Sequence, residues 1–363
     1  MERLYDKLKA YSESDFYAFH MPGHKRNKAL LGIELPYDLD ITEIDGFDDL
    51  HHADGILKEE QERAARVFGA EESHFLVNGS TAGILSAVMG CTHRGDKILV
   101  ARHCHKSIYH AIYMNGLVPR YVYPEFDISM HMNGEISKED VAKALAAEPD
   151  IKAVVIVSPN YDGVVSDVKG IAEVAHSYRI PLIVDEAHGP HFGFHPAFPG
   201  RANDLGADVV INSLHKTLPS LTQTAILHIN GKLANRRRIK KYLDMLQSSS
   251  PSYIFMASLD ACVDFLDGKC EEAFELYVER LQKFREELKP LQHLQILRTE
   301  HYDISKVVIS TANANITSPE LADRLRKEYH LEMEMTGGTY VLAMTTVADT
   351  QEGLDRLKSA LLE

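Results

Sequence analysis

Lys216 and Asp185 each follow a short apolar run of the kind that forms a buried strand. Lys216 comes 31 residues after Asp185, the length of one strand-helix-strand unit, so we expect both side chains at neighbouring strand ends. Burial favours the neutral lysine amine that forms Schiff bases, and a buried carboxylate needs a cationic partner such as a pyridine nitrogen. The pair therefore predicts a pyridoxal phosphate site. Taken singly, Lys216 could emerge into solvent, and Asp185 could cap a helix or bind a metal.

A Gly-Ser-Thr turn follows another apolar run, in the segment FLVNGSTAGIL. Backbone N–H groups from Gly79 onward, at the start of the helix that this turn opens, form a natural cradle for a phosphate together with the hydroxyls of Ser80 and Thr81. In the alternative interpretation, Ser80 is only a helix N-cap. The segment matches neither GxGxxG nor a Walker loop, so it does not predict a dinucleotide or nucleoside triphosphate site.

A histidine-rich segment, RHCHKS, follows the apolar run KILVA. A histidine such as His105 could lie flat against an aromatic cofactor and take part in proton transfer. The alternative is zinc, held by His103, Cys104 and His105 together with His188 and His191. Neighbouring residues on a strand point to opposite faces, so His103 and His105 could share a metal only if Cys104 points away. We therefore predict no metal site.

The elements that must position these residues alternate between strands and helices in the middle of the chain. Short β-branched runs are separated in several places by amphipathic segments such as DVKGIAEVAHSYR, a rhythm typical of a parallel sheet covered by helices. The predicted strands are KILVA (97–101), AVVIV (153–157), PLIVDEA (181–187), ADVVINS (207–213) and TAILHI (224–229).

The pattern changes after about residue 230 to long charged helices and then to strand-like pieces near KVVIST and TYVLAM. The first 50 residues lack sustained periodicity and resemble an extended arm with one short helix. We therefore predict an α/β fold in which the arm (1–50) precedes a large cofactor-binding domain (51–245) with a mainly parallel sheet. A small C-terminal α+β domain (246–363) ends the chain.

Composition narrows the possible partners. At 363 residues, with 45% hydrophobic and 25% charged residues, the chain has the length and balance of a globular protein with two domains. Its formal net charge of −14 argues against nucleic-acid binding and suits a cationic small-molecule substrate. The first residues lack the apolar stretch of a signal peptide or membrane helix, and the four cysteines form no CxxC pair. We expect a cytoplasmic protein with no membrane partner.

A set of motifs in chain order resembles the bacterial ornithine/lysine/arginine decarboxylases, which are pyridoxal phosphate enzymes of fold type I, the aspartate-aminotransferase fold. The resemblance covers about residues 15–260 and rests on FHMPGHK, DGFDDL, NGSTAG, HCHKS, YDG, DEAHGPHF and SLHKTLPSLTQTA. It implies that Lys216 is the Schiff-base lysine, that Asp185 partners the pyridine nitrogen and that His105 stacks on the ring. It also implies that Ala187 contacts the opposite ring face and that His188 lies near the ring hydroxyl. The implied phosphate ligands are Ser80, Thr81, Ser213 and His215.

The resemblance implies α-decarboxylation of arginine, lysine or ornithine to the corresponding amine and CO2, a reaction of polyamine metabolism. It further implies a homodimer whose active sites lie at the interface, where the arm around residues 20–25 and the segment 248–253 complete the partner's pocket. Family members usually continue into a further C-terminal domain, so we expect a short form that lacks it. The segment RTEH (298–301) stands where relatives carry an Arg-Thr-Asp-Pro type of turn.

Other functions stay open from the sequence. The same cofactor-binding residues serve aldol cleavage, elimination and transamination at Cα, because pocket geometry selects the reaction. A zinc-dependent hydrolase would use the histidine and cysteine residues instead. A protein that retains the cofactor but only binds a partner is the remaining alternative.

Overall fold

The fold is described from a computed structural model that covers residues 2–30, 32–128, 131–297 and 299–363. Arg298, the first residue of the RTEH segment, lies outside the described residues. The strands are β1 Glu72–Leu76, β2 Lys97–Ala101, β3 Val118–Val122, β4 Phe126–Asp127, β5 Met132–Asn133, β6 Ile151–Val157, β7 Leu182–Asp185, β8 Val209–Asn212, β9 Ala225–Ile229, β10 Gln295–Ile296, β11 Lys306–Ser310, β12 Met335–Thr336 and β13 Tyr340–Met344.

The helices are α1 Leu4–Ser12, α2 Ile56–Phe68, α3 Gly79–Cys91, α4 Lys106–Asn115, α5 Lys138–Ala147, α6 Val168–Ser177, α7 Leu214–Thr217, α8 Arg236–Leu246, α9 Tyr253–Leu266, α10 Glu271–Glu287, α11 Ser318–Tyr329 and α12 Gln351–Leu362. A short 3-10 helix, Leu50–His52, ends the N-terminal arm. Across the described residues, no helix has both the length and the apolar composition that a membrane span requires.

A seven-stranded sheet in the order β1-β9-β8-β7-β6-β2-β3 forms the centre of the molecule. The pairings between β3, β2, β6, β7 and β8 are parallel, whereas β9 runs antiparallel to both β8 and β1. The predicted mainly parallel sheet is therefore confirmed, with β9 as its exception. The connection from β8 to β9 contains only the four-residue helix α7, which is too short to carry the chain back across a sheet face, so β9 returns alongside β8.

Helices cover both faces of this sheet, as the alternation of side chains in β6 and β8 shows. Ala153, Val155 and Ile211 belong to one apolar cluster, which also contains residues of α3, α4 and α8. Val154 and Val210 belong to a second cluster on the opposite face, with residues of α5 and α6. Every residue of β7 and β8 is buried, as expected for central strands covered on both sides.

Helix α3 lies very close to its neighbours because two of its three glycines, Gly83 and Gly90, face them. A Cβ atom at Gly90 would lie 2.8 Å from the Cα of Ile239 in α8, and one at Gly83 would lie 2.6 Å from Leu76 Cδ1 and 3.3 Å from Ile211 Cγ2. The absence of side chains at these positions lets α3 pack against both α8 and the sheet. This packing fixes where the N-terminus of α3 lies, which is the end that carries the predicted phosphate cradle.

A second sheet, β10-β11-β13-β12, is antiparallel and lies in the C-terminal third of the chain. Its residues Val307, Ile309 and Val341 pack in an apolar cluster with residues of α10, α11 and α12. The expected strands near KVVIST and TYVLAM are thus present as β11 and β13. The predicted domain bounds (1–50, 51–245 and 246–363) stay a prediction.

Within its described residues, the N-terminal arm contains one α-helix, α1, followed by a long irregular segment, as predicted. Leu4 and Leu8 of α1 are buried in a cluster that includes Tyr253 and Leu259 of α9. Tyr253 itself is fully buried in the core of its own chain, whereas the preceding residues 248–250 are exposed. The start of the arm is therefore held by contacts within the chain.

We predict that Gly90→Ala lowers the free energy of unfolding by roughly 1–3 kcal/mol, because the added methyl group cannot fit against the backbone of α8. Equilibrium urea unfolding measures this change. The matched control is Gly353→Ala in α12, where the nearest atom to an added Cβ is 4.0 Å away and where alanine favours the helix. Equal stability of both variants would contradict the close-packing interpretation.

Candidate active site

A cavity of about 590 Å³ opens at the carboxyl end of the central sheet. Its lining comes from strand ends and from the loops and helices that follow them, the position at which parallel sheets place ligand sites. All the site residues predicted from the sequence line it: Gly79, Ser80, Thr81, His105, Asp185, Ala187, His188, Ser213, His215 and Lys216. Their roles toward a cofactor stay predictions.

Lys216 lies in α7, directly after strand β8, and its side chain enters the cavity. Its Nζ atom is 2.9 Å from Nε2 of His188. Burial lowers the pKa of Lys216, while the charges of Asp185 and Glu334 oppose that shift. The amine is thus easier to deprotonate than an exposed lysine, which is the property that a nucleophilic lysine needs.

Asp185 is the last residue of β7, the strand next to β8, and it pairs in register with Ile211. One of its oxygens, Oδ1, accepts a hydrogen bond from the backbone N–H of Ala187 at 3.2 Å. Burial raises the pKa of this carboxyl group, and the charge of Lys216 and the Ala187 N–H act in the opposite direction. A buried carboxylate at this place gains from a cationic ligand group.

The predicted phosphate cradle lies at the N-terminus of α3. Gly79 has φ of +70°, a left-handed conformation that glycine adopts without strain, and its N–H donates to the carbonyl of Gln223 at 2.9 Å. Asn78 makes no side-chain capping hydrogen bond, so it does not use the N–H groups of the first turn. The hydroxyl of Ser80 contacts the hydroxyl of Ser213, which brings the two predicted phosphate ligands together.

Two histidines of the RHCHKS segment, His103 and His105, line the cavity. His105 caps α4, and its Nδ1 lies 2.7 Å from the hydroxyl of Ser107. Nδ1 of His103 is buried without a hydrogen-bond partner among the described residues, and burial lowers the pKa of this ring to about 4. Within the described ranges, no group of three or more His, Cys, Asp or Glu residues is arranged to hold a metal ion.

Sequence reasoning gave no role to Lys306 or Glu334, and it used Tyr161 only as part of a motif. Glu334 and Tyr161 both line the cavity, and the Tyr161 hydroxyl donates to the Glu334 carboxylate. Nζ of Lys306, at the start of β11, is 3.3 Å from Nδ1 of His188. The available signal was a lysine as the first residue of a fully buried strand, but nothing local connects β11 with the ends of β7 and β8.

A buried hydrogen-bonded chain supports the segment around Lys216 from behind. Asp303 accepts from Nε2 of His191 at 3.1 Å, and Nδ1 of His191 is 3.0 Å from the hydroxyl of Thr217. Burial alone would raise the pKa of Asp303, but the charge and hydrogen bond of His191, the charge of Lys306 and the hydroxyl of Ser305 hold it below the usual 3.8. His191 therefore anchors α7 and does not face the cavity as a zinc ligand would.

The residues present fit pyridoxal phosphate. The amine of Lys216 would hold the aldehyde, and the buried carboxylate of Asp185 would hold the pyridine nitrogen. The uncapped start of α3 and the paired hydroxyls of Ser80 and Ser213 would hold the phosphate. The unpartnered buried nitrogen of His103 also indicates that the cavity takes a polar ligand. The volume is that of a pocket for a small molecule.

Comparison with known proteins identifies relatives over nearly the whole chain. A family model described as "Orn/Lys/Arg decarboxylase, major domain" matches residues 3–309. An arginine decarboxylase of Bacillus subtilis (strain 168) is 34% identical over 375 residues, which cover 99% of this chain and 76% of that protein.

Solved structures give the same fold. The lysine decarboxylase LdcF of Francisella novicida superimposes with a TM-score of 0.85 at 20% identity, over 99% of this chain and 59% of that one. The ureidoglycine-glyoxylate aminotransferase of Bacillus subtilis superimposes with a TM-score of 0.69 at 14% identity, over 85% of this chain and 83% of that one. The predicted aminotransferase-like fold class is confirmed. The chain spans about three fifths of LdcF.

We predict that Asp303→Asn lowers the free energy of unfolding at pH 7 by about 2 kcal/mol, because it weakens the buried bond to His191. The folded-state pKa of Asp303 is depressed, so this carboxylate adds stability above its unfolded pKa and loses that contribution as pH falls through the folded pKa. The deficit of the variant should therefore shrink between pH 7 and about pH 3. Urea unfolding at both pH values tests this, with the exposed Asp267→Asn as control.

Proposed function

The chain belongs to the Orn/Lys/Arg decarboxylase family, and from this premise we propose that it is a pyridoxal-phosphate-dependent α-decarboxylase of a basic amino acid. Its substrate is arginine, lysine or ornithine, and its products are CO2 and the corresponding amine. The single observation that carries the proposal is the meeting of Lys216, Asp185 and the α3 cradle in one cavity. The name of the arginine decarboxylase relative supports the choice of a basic substrate.

Lys216 holds the cofactor covalently in this proposal, and Asp185 pairs with the pyridine nitrogen. The N–H groups at the start of α3 and the hydroxyls near Ser80 and Ser213 hold the phosphate. When bound, pyridoxal phosphate supplies an electron sink for the bond between Cα and the substrate carboxylate. The buried position of Asp185 keeps this charge pair away from water, which strengthens it.

Side chains of the protein then transfer protons and hold the reacting groups in position. Lys216, hydrogen-bonded to His188, can accept or return a proton when the substrate amine takes its place. Tyr161 lies with its ring centroid 4.8 Å from that of His188, so it limits the movement of the imidazole. His105, at the cavity wall, is available as the group against the cofactor ring.

Glu334 is the acidic group that we assign to the distal charge of the substrate. Its carboxylate lies on the cavity lining beside Tyr161, whose hydroxyl orients one of its oxygens. A guanidinium or ammonium group at the end of a basic amino acid would pair with it. The net charge of −14 favours the approach of such a cation.

We also propose a cytoplasmic homodimer with active sites at the interface. Three aromatic side chains of the arm, Phe16, Tyr17 and Phe19, are each more than two thirds exposed. Surface of this kind in a soluble protein is typical of a contact with another chain. The adjacent His20 is held by the Tyr11 hydroxyl at 2.8 Å, which presents the segment 20–25 in a defined position.

The proposal is tested by incubating the purified protein and pyridoxal phosphate with arginine, lysine and ornithine while CO2 and amine are measured. Release of both products from at least one of the three is the expected result. Turnover of a different amino acid only would remove the substrate assignment and leave the cofactor assignment intact. A colourless protein that takes up no cofactor would refute the proposal as a whole.

We predict that Lys216→Ala abolishes covalent cofactor binding and lowers turnover by at least about a thousandfold, since this amine is the attachment point. Borohydride treatment followed by mass spectrometry should add the cofactor's mass to the wild-type peptide that contains position 216 and not to the variant. The exposed Lys232→Ala serves as the control and should behave as the wild type. Near-normal activity of Lys216→Ala would contradict the assignment.

For Glu334→Gln we expect KM for the basic substrate to rise about tenfold, equivalent to about 1.4 kcal/mol, with a smaller change in kcat. The variant keeps the shape of the side chain but removes the charge that pairs with the distal group. Steady-state kinetics measure the split between KM and kcat. The neighbouring exposed Glu332→Gln is the control, and an equal effect of both variants would indicate general electrostatics instead of a specific contact.

A further inference from the structure

Lys306 is a fully buried lysine that the cofactor site described above does not use. It is the first residue of β11, and its side chain has no exposed surface. Its Nζ lies 3.3 Å from Nδ1 of His188, whose Nε2 lies 2.9 Å from Nζ of Lys216. One imidazole therefore connects two lysine amines, one in the cavity wall and one behind it.

The imidazole of His188 limits the number of protons that Lys216, His188 and Lys306 can hold together. Burial lowers the pKa of His188 well below its ordinary value, and the charges of Lys306 and Lys216 lower it further, so the ring is neutral. A neutral imidazole has one N–H donor and one acceptor nitrogen. It can accept from one ammonium group and donate to the other amine only if that amine is neutral. With both contacts formed, at most one of the two lysines is charged.

Both assignments of that charge are accessible. Burial lowers the pKa of Lys306 to about 8, with a further lowering by Lys216, while Asp303 opposes the shift. Burial also lowers the pKa of Lys216. Other charged or titratable groups from the surrounding elements also act on Lys216, His188 and Lys306. They are Asp162, Asp185, His105, His215 and Glu334.

We propose that Lys306 is a positioning residue that exchanges a proton with Lys216 through His188 and so keeps the Lys216 amine available in its neutral form. The proton on Nζ of Lys216 passes to Nε2 of His188 while the proton on Nδ1 of His188 passes to Nζ of Lys306. One positive charge is present before and after the exchange, and no other reactant is needed. This inference rests on the proposed function, which makes Lys216 the attachment residue.

The test compares the wild type with Lys306→Met, which keeps the length of the side chain and removes the amine. The full chain, stripped of cofactor, is labelled with trace acetic anhydride from pH 6 to pH 11, and mass spectrometry follows the acetylation of Lys216. Without Lys306, its positive charge and its proton-accepting amine no longer favour the neutral form of Lys216, so the labelling midpoint should move up by about one pH unit. Lys152→Met, which removes an exposed lysine from strand β6, should leave the midpoint unchanged.

An unchanged midpoint in folded Lys306→Met overturns the inference, because a lysine that serves packing alone would alter thermal unfolding but not this titration. If Lys306→Met does not fold, the wild type decides through the 15N shifts of the His188 ring, assigned with His188→Gln. We expect both ring nitrogens to move with pH while the ring stays neutral, as two tautomers exchange, and a single fixed tautomer from pH 6 to pH 10 refutes the exchange. Cofactor attachment at position 216 is measured separately, so failure of the proposed function is recognised independently.

Discussion

The removal of ionisable groups from water is the constraint on which the rest of this site depends. Asp185, His188 and Lys306 are almost completely buried, and Lys216 is partly buried beside them. Each such charge costs several kcal/mol in the interior unless a partner compensates for it. The chain reduces this cost by keeping His188 neutral between two amines and by placing the carboxylate where a cationic ligand can meet it.

The turn that leads into β11 connects the second sheet with the residues around Lys216. Asp303 supports α7 through His191 and Thr217, and Lys306 reaches His188 on the other side. These contacts come from the residues directly before and at the start of β11. The chemistry at the edge of the central sheet therefore depends on how the C-terminal elements pack against it, because a displacement of this turn would break both contacts together.

The sequence was sufficient for the inner strands of the central sheet and for the groups at their ends, because β-branched runs and the residues after them are local signals, whereas the edge strand β3 was not predicted. It did not indicate that β9 runs antiparallel, since this follows from the short path around α7. Lys306 and Glu334 were missed for a related reason. Each lies in or directly before a strand far along the chain, and only tertiary packing brings it to the site, so no spacing rule connects either residue with Lys216.

Lys216 and Asp185 also have separate roles, proton exchange for the lysine and ligand binding for the carboxylate. A direct ion pair between them would combine these roles. If Lys216 formed a close salt bridge with Asp185, the carboxylate would be neutralised by the chain itself and would have less to offer a ligand nitrogen. Instead, Nζ of Lys216 lies 2.9 Å from the neutral imidazole of His188, and Asp185 influences it through longer-range attraction. The amine thus has a partner that can take or give a proton, while Asp185 remains available to pair with a cationic group of a ligand. Lys216 needs a partner for proton exchange and Asp185 needs to stay without a salt bridge to it, although the two side chains lie at adjacent strand ends. The uncharged imidazole of His188 meets the first need without affecting the second.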